Sequence, residues 1–391
     1  MASRTTAPTL AFLAALVIGA VAAGGAVTAL PPFDPMNARD AEKFPRAHGA
    51  HPGAALEWWY VTGIVRDPAR RRLGYQVTFF RARVADRPPG TSAWHPGDLL
   101  FAHFAISDLG ARFFKFDERI GRTAVALAGA DSTDLNVWIR DWNMRRNPDG
   151  SIRIKTSGTA GTLDLTLKPP SGPPVKWGPQ FRSDKSADGS AFSRYQSYPR
   201  LRATGAYVSP GDTARSVSGS AWFDHEWSDG SRDPLAVGWD WFGLRLGDGR
   251  SIMLYRMRRQ DGGSAHLFGG IVDPRGTVRI VESSEVQLSA LRHWTSPKSR
   301  ARYPVSWKIV LSPAGEAPIT VEIDAELNDQ ELDTRKSTRV TYWEGVVEGR
   351  ATQSGASERV EGYMELTGYA GGGLPGAAAG AAISTSAPPD R

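Results

Sequence analysis

From residue 56 to residue 367 the chain is a succession of β-rich runs broken by tight turns, with no sustained 3.6-residue apolar period that would specify a helix. Runs at 58–65 and 73–84 flank Arg66-Asp67-Pro68-Ala69-Arg70, a hairpin signature. Further runs follow at 99–106, 111–116, 136–144, 151–156 and 162–167, with the turn Asn147-Pro148-Asp149-Gly150 between two of them. The pattern resumes at 216–223, 239–246, 251–258, 267–272, 277–281, 305–311, 319–327, 340–347 and 360–367. Gly247-Asp248-Gly249 and Asp273-Pro274-Arg275-Gly276 supply turns there. With 13 Trp, 42 Gly and 27 Pro among 391 residues, the composition suits many short strands and tight connections. There is no cysteine, so packing alone must hold the fold. The fold class expected is all-β.

The length allows two cores, since a domain usually takes roughly 100–200 residues. A short internal similarity suggests where they lie: Trp59-Tyr60-Val61-Thr62-Gly63-Ile64-Val65 leading to 74–81 resembles Trp241-Phe242-Gly243-Leu244-Arg245-Leu246 leading to 251–256. Each half then opens with an aromatic hairpin and closes into an antiparallel barrel, which removes exposed edges and leaves room inside for one small ligand. The halves expected are 56–215 and 216–370. Before them, residues 31–55 read as a linker, and residues 1–30 as an export signal with Arg4, an apolar run and the small-x-small site Ala20-Val21-Ala22. An uncleaved membrane anchor is the competing reading of that segment. Residues 168–193 read as a long loop, and 371–391 as a disordered tail too poor in large apolar residues to form a core.

The net charge of +6 raises nucleic acid or an anionic membrane surface as partners. The arginines are scattered along strands and turns without a basic helix, which argues against nucleic acid and leaves peripheral membrane contact open. Nucleophile elbow, phosphate loop, dinucleotide fingerprint and H-E-x-x-H are all missing: His225-Glu226 begins the last, but Asp229 stands where its second histidine belongs. No metal and no cofactor are expected.

What remains are ionisable groups set among aromatic rings. In Trp222-Phe223-Asp224-His225-Glu226-Trp227, a strand puts Asp224 and Glu226 on one face and His225 and Trp227 on the other. Burial beside rings can raise a carboxyl pKa until it donates protons near neutral pH, and structural pairs perturb titration as well. His103 lies on an otherwise apolar strand, and Glu57 precedes Trp58, Trp59 and Tyr60. Asp240 sits between Trp239 and Trp241, and Glu344 follows Trp343. Aromatic walls with few polar groups suit an apolar or polyene ligand and can stabilise a passing carbocation. Glu57, Trp58, Tyr60, His103, Trp239, Trp241 and Trp343 are the candidate ligand-binding residues; Asp224, His225, Glu226, Trp227 and Asp240 are candidates for chemistry.

Glu57-Trp58-Trp59-Tyr60, residues 101–108, residues 222–227, Tyr342-Trp343-Glu344-Gly345 and residues 362–369 occur in this order, and together resemble the AttH and carotenoid 1,2-hydratase family of lipocalin-like proteins. The resemblance implies two lipocalin-like barrels in tandem. Hydratase members add water across a terminal isoprenoid double bond by protonating the alkene, without a cofactor; AttH-type members resemble secreted accessories of ABC transport systems or secreted hydrolases. The hydratase pattern pairs His-x-Trp with a downstream Tyr-x-Asp. Here His225-Glu226-Trp227 matches the first, while Tyr255-Arg256-Met257 matches the tyrosine and departs at the acid, leaving Glu226 or Asp240 as proton donor. The function expected is an exported protein, periplasmic or secreted, that binds a lipid or isoprenoid and serves an ABC transporter; the alternative is a cofactor-independent hydratase or a secreted hydrolase. Retention of residues 1–30 would make the protein membrane-anchored.

Overall fold

A computed structural model describes residues 43–83, 98–123 and 126–371. The expected signal or anchor, the first part of the expected linker and the tail beyond residue 371 lie outside the described residues. All the strands pair antiparallel, in two sheets. The first contains β1 (Leu56–Arg66), β2 (Arg72–Ala82), β3 (Leu99–Asp108), β4 (Phe113–Arg122), β5 (Ala128–Ala130), β6 (Asn136–Ile139), β7 (Trp142–Arg146), β8 (Ile152–Gly158), β9 (Gly161–Lys168), β10 (Val175–Lys176), β11 (Arg182–Asp184), β12 (Phe192–Val208) and β13 (Arg215–Ser228). The second contains β14 (Ala236–Leu246), β15 (Ser251–Arg259), β16 (Ser264–Val272), β17 (Val278–Val281), β18 (Val286–Thr295), β19 (Arg302–Leu311), β20 (Ile319–Ala325), β21 (Glu331–Thr334), β22 (Val340–Gln353) and β23 (Ala356–Thr367).

The first sheet runs β4-β3-β2-β1-β13-β12-β9-β8-β7-β6-β5, with β10 and β11 also on β12; the second runs β17-β16-β15-β14-β23-β22-β20-β19-β18, with β21 also on β22. Through β7 in one and β18 in the other this is a single plan used twice: each half pairs its first strand with its last. The plan moves the expected boundary. Arg215–Ser228 completes the first sheet, so the halves meet after Ser228 and not at 215/216. The short internal similarity is also off by one residue. Trp59 points into the first sheet's core, whereas Trp241 points out of the second, so the outward pair Trp58 and Tyr60 corresponds to Trp239 and Trp241. A slip of one residue in a strand exchanges its faces.

Each sheet curls around its own apolar filling. Trp59, Val61, Val77, Phe104, Trp142, Leu165 and Phe223 lie together inside the first. Phe242, Leu254, Trp307, Val321, Trp343 and Met364 lie inside the second. A third cluster, including Tyr60, Ile64, Trp222, Trp241, Met253, Val346 and Tyr363, draws on both sheets and joins them back to back. The central strands are therefore buried on both faces, as continuous burial of residues 59–65 shows, which explains their imperfect period-two alternation.

The N-terminal residues 43–55, expected as linker, are folded. Ala47, His48, Ala50, His51 and Ala54 are buried, Trp59 Nε1 donates to His48 O at 3.0 Å, and Ala50 N donates to Asp131 O at 2.7 Å. Alanines and Gly49 permit this close approach: a Cβ on Gly49 would meet Asp131 O at 2.8 Å. Part of the expected loop at 168–193 is likewise pinned to β12 by β10 and β11.

Docking of the sheets requires a glycine at Gly74 on β2, where a Cβ would lie 2.3 Å from Val346 Cγ2 and 2.6 Å from the Tyr363 hydroxyl. Gly74→Val should cost about 1–3 kcal/mol by overpacking, read as a lower thermal midpoint; Gly53→Val, at a position with nothing within 4 Å, should not. Equal midpoints for both would show that the sheets have slack here.

Candidate functional site

A cavity of about 160 Å³ opens between the two sheets, outside both barrel interiors. Apolar side chains fill both interiors, where room for a ligand was expected. Corresponding strands of the two halves build the cavity wall. Trp58 and Tyr60 come from β1 and Trp239 and Trp241 from β14; Phe80 comes from β2 and Tyr255 and Met257 from β15. Tyr60 meets Trp241 edge to face, with ring centroids 5.3 Å apart.

Four carboxyl side chains line this aromatic space: Asp224, Glu226, Glu344 and Glu365. Strand register places them. Asp224 on β13 lies opposite Tyr60, and Glu365 on β23 lies opposite Trp241, so the two halves offer an acid at the same place in the plan. Glu344 on β22 lies directly opposite Glu365. Like charges facing across a ladder are unfavourable, and pairs of buried carboxyls resist joint ionisation.

The surroundings set the protonation of each acid. Burial pushes Asp224 up to about 7, against hydrogen bonds from Ser197, Tyr195 and Trp222 that favour its ionised form; the nearby Glu226 adds to the rise. Tyr195 donates to Asp224 at 2.7 Å, Trp222 Nε1 donates at 2.6 Å, and Trp241 Nε1 donates to the Tyr195 hydroxyl at 3.0 Å. Burial likewise raises Glu365 to about 7, opposed by Thr367 and Trp239, which donate to its Oε1 at 2.9 and 3.1 Å. Burial, then the charge of Glu365, holds Glu344 well above the usual carboxyl range; Tyr60 donates to its Oε1 at 2.6 Å. Neither Glu344 Oε2 nor Glu365 Oε2 takes a hydrogen bond from the described residues.

Glu226 is different: Lys185 Nζ lies 2.7 Å from its Oε1. Lys185 also lies 3.8 Å over the Tyr255 ring, and burial lowers its pKa against the pull of Glu226. Engaged by a cation, Glu226 is poorly placed to serve as the proton donor expected of it. Tyr255 is fixed by Ser183 at 2.9 Å and by the Asp184 carbonyl. His103 reaches the cavity and is held down to about 3 by burial, with Tyr342 at 2.9 Å from Nδ1 and Ser337 at 3.0 Å from Nε2. Met257, where the hydratase pattern has an acid, forms part of the wall.

Five expected site residues are placed elsewhere. Asp240 points away between its two cavity-facing tryptophans, with Arg256 Nη2 at 2.5 Å and the Tyr369 hydroxyl at 2.8 Å, so it serves as a buried counter-ion. Trp343 belongs to the second core and donates to Asn328 O at 2.6 Å. Glu57, His225 and Trp227 lie on the other face of their strands. Glu57 Oε1 is 2.9 Å from His225 Nε2 and 2.8 Å from His51 Nδ1, and Arg81 Nε donates to Oε2 at 2.9 Å. Against the burial that would raise it, Arg81 and the two histidines hold Glu57 well below the usual carboxyl range. Trp227 stacks on His51 with centroids 3.8 Å apart. His51, Glu57 and His225 have metal-ligand spacing. However, Arg81 supplies the cation, and Gln196 Nε2 at 3.1 Å from His225 Nδ1 leaves the imidazole proton pointing at Glu57. The arrangement is that of a hydrogen-bonded ion cluster tying residues 46–51 to β1 and β13. Glu365, Lys185, Tyr195 and Tyr342 were absent from the expected set; alternation of Tyr363, Glu365 and Thr367 along β23 is the signal that could have found Glu365.

Between about pH 4 and 7 the folded protein holds protons on Asp224 and Glu365 that the unfolded chain has released, so these groups make stability fall as pH rises across that window. Glu365→Gln should therefore gain thermal stability relative to the unsubstituted protein between pH 5 and pH 8. A gap that stays constant would mean that the carboxyl titrates normally.

Residues 35–369 match the model of the AttH-like family. A crystal structure of a candidate AttH from Nitrosomonas europaea is 34% identical, covers 87% of this chain and 100% of its own, and superposes with a TM-score of 0.75. Kievitone hydratase from Nectria haematococca is 14% identical and covers 87% and 94%, with a TM-score of 0.63, a likeness of fold. No curated protein matches the sequence.

Proposed function

The chain belongs to the AttH-like family, and on that footing we propose that its inter-sheet cavity protonates an unsaturated, largely apolar small molecule, so that water adds across a carbon–carbon double bond without a cofactor. The observation that carries this reading is the facing pair Glu344 and Glu365: two buried carboxyls with raised pKa values, each with an oxygen free of protein donors, in an aromatic cavity. The activity named for kievitone hydratase offers hydration as a reaction class for the fold; the support in this chain is the chemistry of its cavity.

In the proposed step the π electrons of the alkene take the proton of one carboxyl, leaving a carboxylate and a carbocation. The rings of Trp58, Trp239 and Trp241, which line the cavity, stabilise that cation, and the new carboxylate is its counter-ion. A water oxygen then bonds to the cationic carbon and returns one proton to the carboxylate, so the acid is regenerated and the net change is addition of one water. The missing acid at Met257 is replaced by acids on facing strands.

The aromatic wall also favours a second reading, an exported carrier of a lipid or isoprenoid that serves an ABC transport system, with residues 1–30 as its export signal. Incubation with isoprenoid polyenes in ¹⁸O-labelled water separates the two. The expected result is a product carrying one labelled oxygen, with a rate that falls above about pH 7 as Glu365 ionises. Glu344→Gln and Glu365→Gln should each lower the rate on the order of 10²-fold or more. A polyene that stays bound and unlabelled supports the carrier.

A further inference from the structure

We propose that the inter-sheet cavity selects ligands that carry a positive charge on an apolar frame, an amine or quaternary ammonium, with Glu344 and Glu365 as counter-ions and Tyr60, Trp239 and Trp241 as an aromatic cage. The inference rests on the reading above only in taking this cavity to be the ligand site.

The cavity's carboxyls outnumber its cations, so that only protons keep them neutral. Four carboxyl side chains face Lys185 and, at the exposed mouth, Arg232. Lys185 is committed to Glu226 at 2.7 Å, and His103 is held neutral. Asp224, Glu344 and Glu365 have no ion-pair partner among the described residues. Glu344 is only 2% exposed, and its Oε2 takes no hydrogen bond from them although the residue lines the cavity. A cationic group on the ligand would give that oxygen a partner that the described residues do not supply.

The rings are fastened to the acids themselves. Tyr60 donates to Glu344 and forms a T-shaped pair with Trp241, while Trp239 donates to Glu365. A trimethylammonium group among these residues would meet aromatic rings and carboxylate oxygens together, the combination used to recognise quaternary ammonium ions. The groups around the pair supply no competing cation: Tyr60 on β1, Tyr342 on β22 and Tyr363 on β23 are neutral phenols coupled to Glu344, and Glu226 on β13 acts on Glu365 as a further negative charge. A bound cation therefore replaces a proton, and one carboxyl of the pair ionises as the ligand enters.

The test is calorimetric titration of the full protein with benzyltrimethylammonium and with its uncharged carbon isostere, neopentylbenzene, in two buffers of different ionisation enthalpy. The ammonium should bind at least about 10-fold more tightly than the isostere, release protons at pH 6.5, and gain affinity between pH 6 and pH 8. Glu344→Gln should remove most of that preference in a protein whose circular dichroism is unchanged. Equal or tighter binding of the isostere, affinity independent of pH, or no ammonium binding at millimolar concentration would each overturn the proposal. Hydration of a neutral polyene is measured separately: turnover without ammonium preference sinks this inference and leaves the enzyme reading standing, and ammonium binding without turnover does the reverse.

Discussion

The constraint on which the rest depends is the burial of the central strands on both faces. β1, β13, β14 and β23 each turn one face into a barrel core and the other toward the opposite sheet, so that residues 59–65, 221–228, 240–246 and 362–364 are buried. Polar groups on such strands must be paired or must change protonation, because an isolated buried charge is too costly. The molecule shows both solutions on the paired strands β1 and β13. On the inward face, Glu57 is ionised within a cage of Arg81, His51 and His225. On the outward face, Asp224 lacks a cation and is neutral up to about pH 7.

That contrast separates structural acids from candidates for chemistry more sharply than aromatic neighbours do. Asp240 has a tryptophan on either side in the sequence, yet Arg256 neutralises it and its strand turns it away from the cavity. Glu365 lies between Met364 and Leu366 and looks like an ordinary core-strand residue until its partner across the ladder is known to be Glu344. Ion pairing and cross-strand register are properties of the folded chain, and they decide which carboxyl remains available.

The all-β class and the two halves were legible in the sequence because turn chemistry and β-branched or aromatic runs are local. So was the division of Asp224 and Glu226 from His225 and Trp227, which follows from period-two geometry alone. Other elements were not. The 17-residue β12 begins Phe192-Ser193-Arg194-Tyr195-Gln196-Ser197, polar enough to pass for loop, since its side chains serve hydrogen bonds to β13 and to the cavity acids. The run at 136–144 divides into β6 and β7 because Arg140 adopts φ 58° in a tight turn, which no glycine announces. The cavity itself was invisible because it belongs to neither half.

Two like halves set back to back would make a chamber with no head or tail, in which a molecule could lie either way round. The segments that follow β11 and β21 break that equivalence: one brings Lys185 to the wall, and the other brings Thr338. Only one end of the chamber thus has a fixed ammonium, locked to Glu226 above the Tyr255 ring, while the carboxyl pair stands at the other half's strands. The duplicated plan supplies the walls, and this lysine, unmatched among the described residues of the wall, gives the chamber a direction.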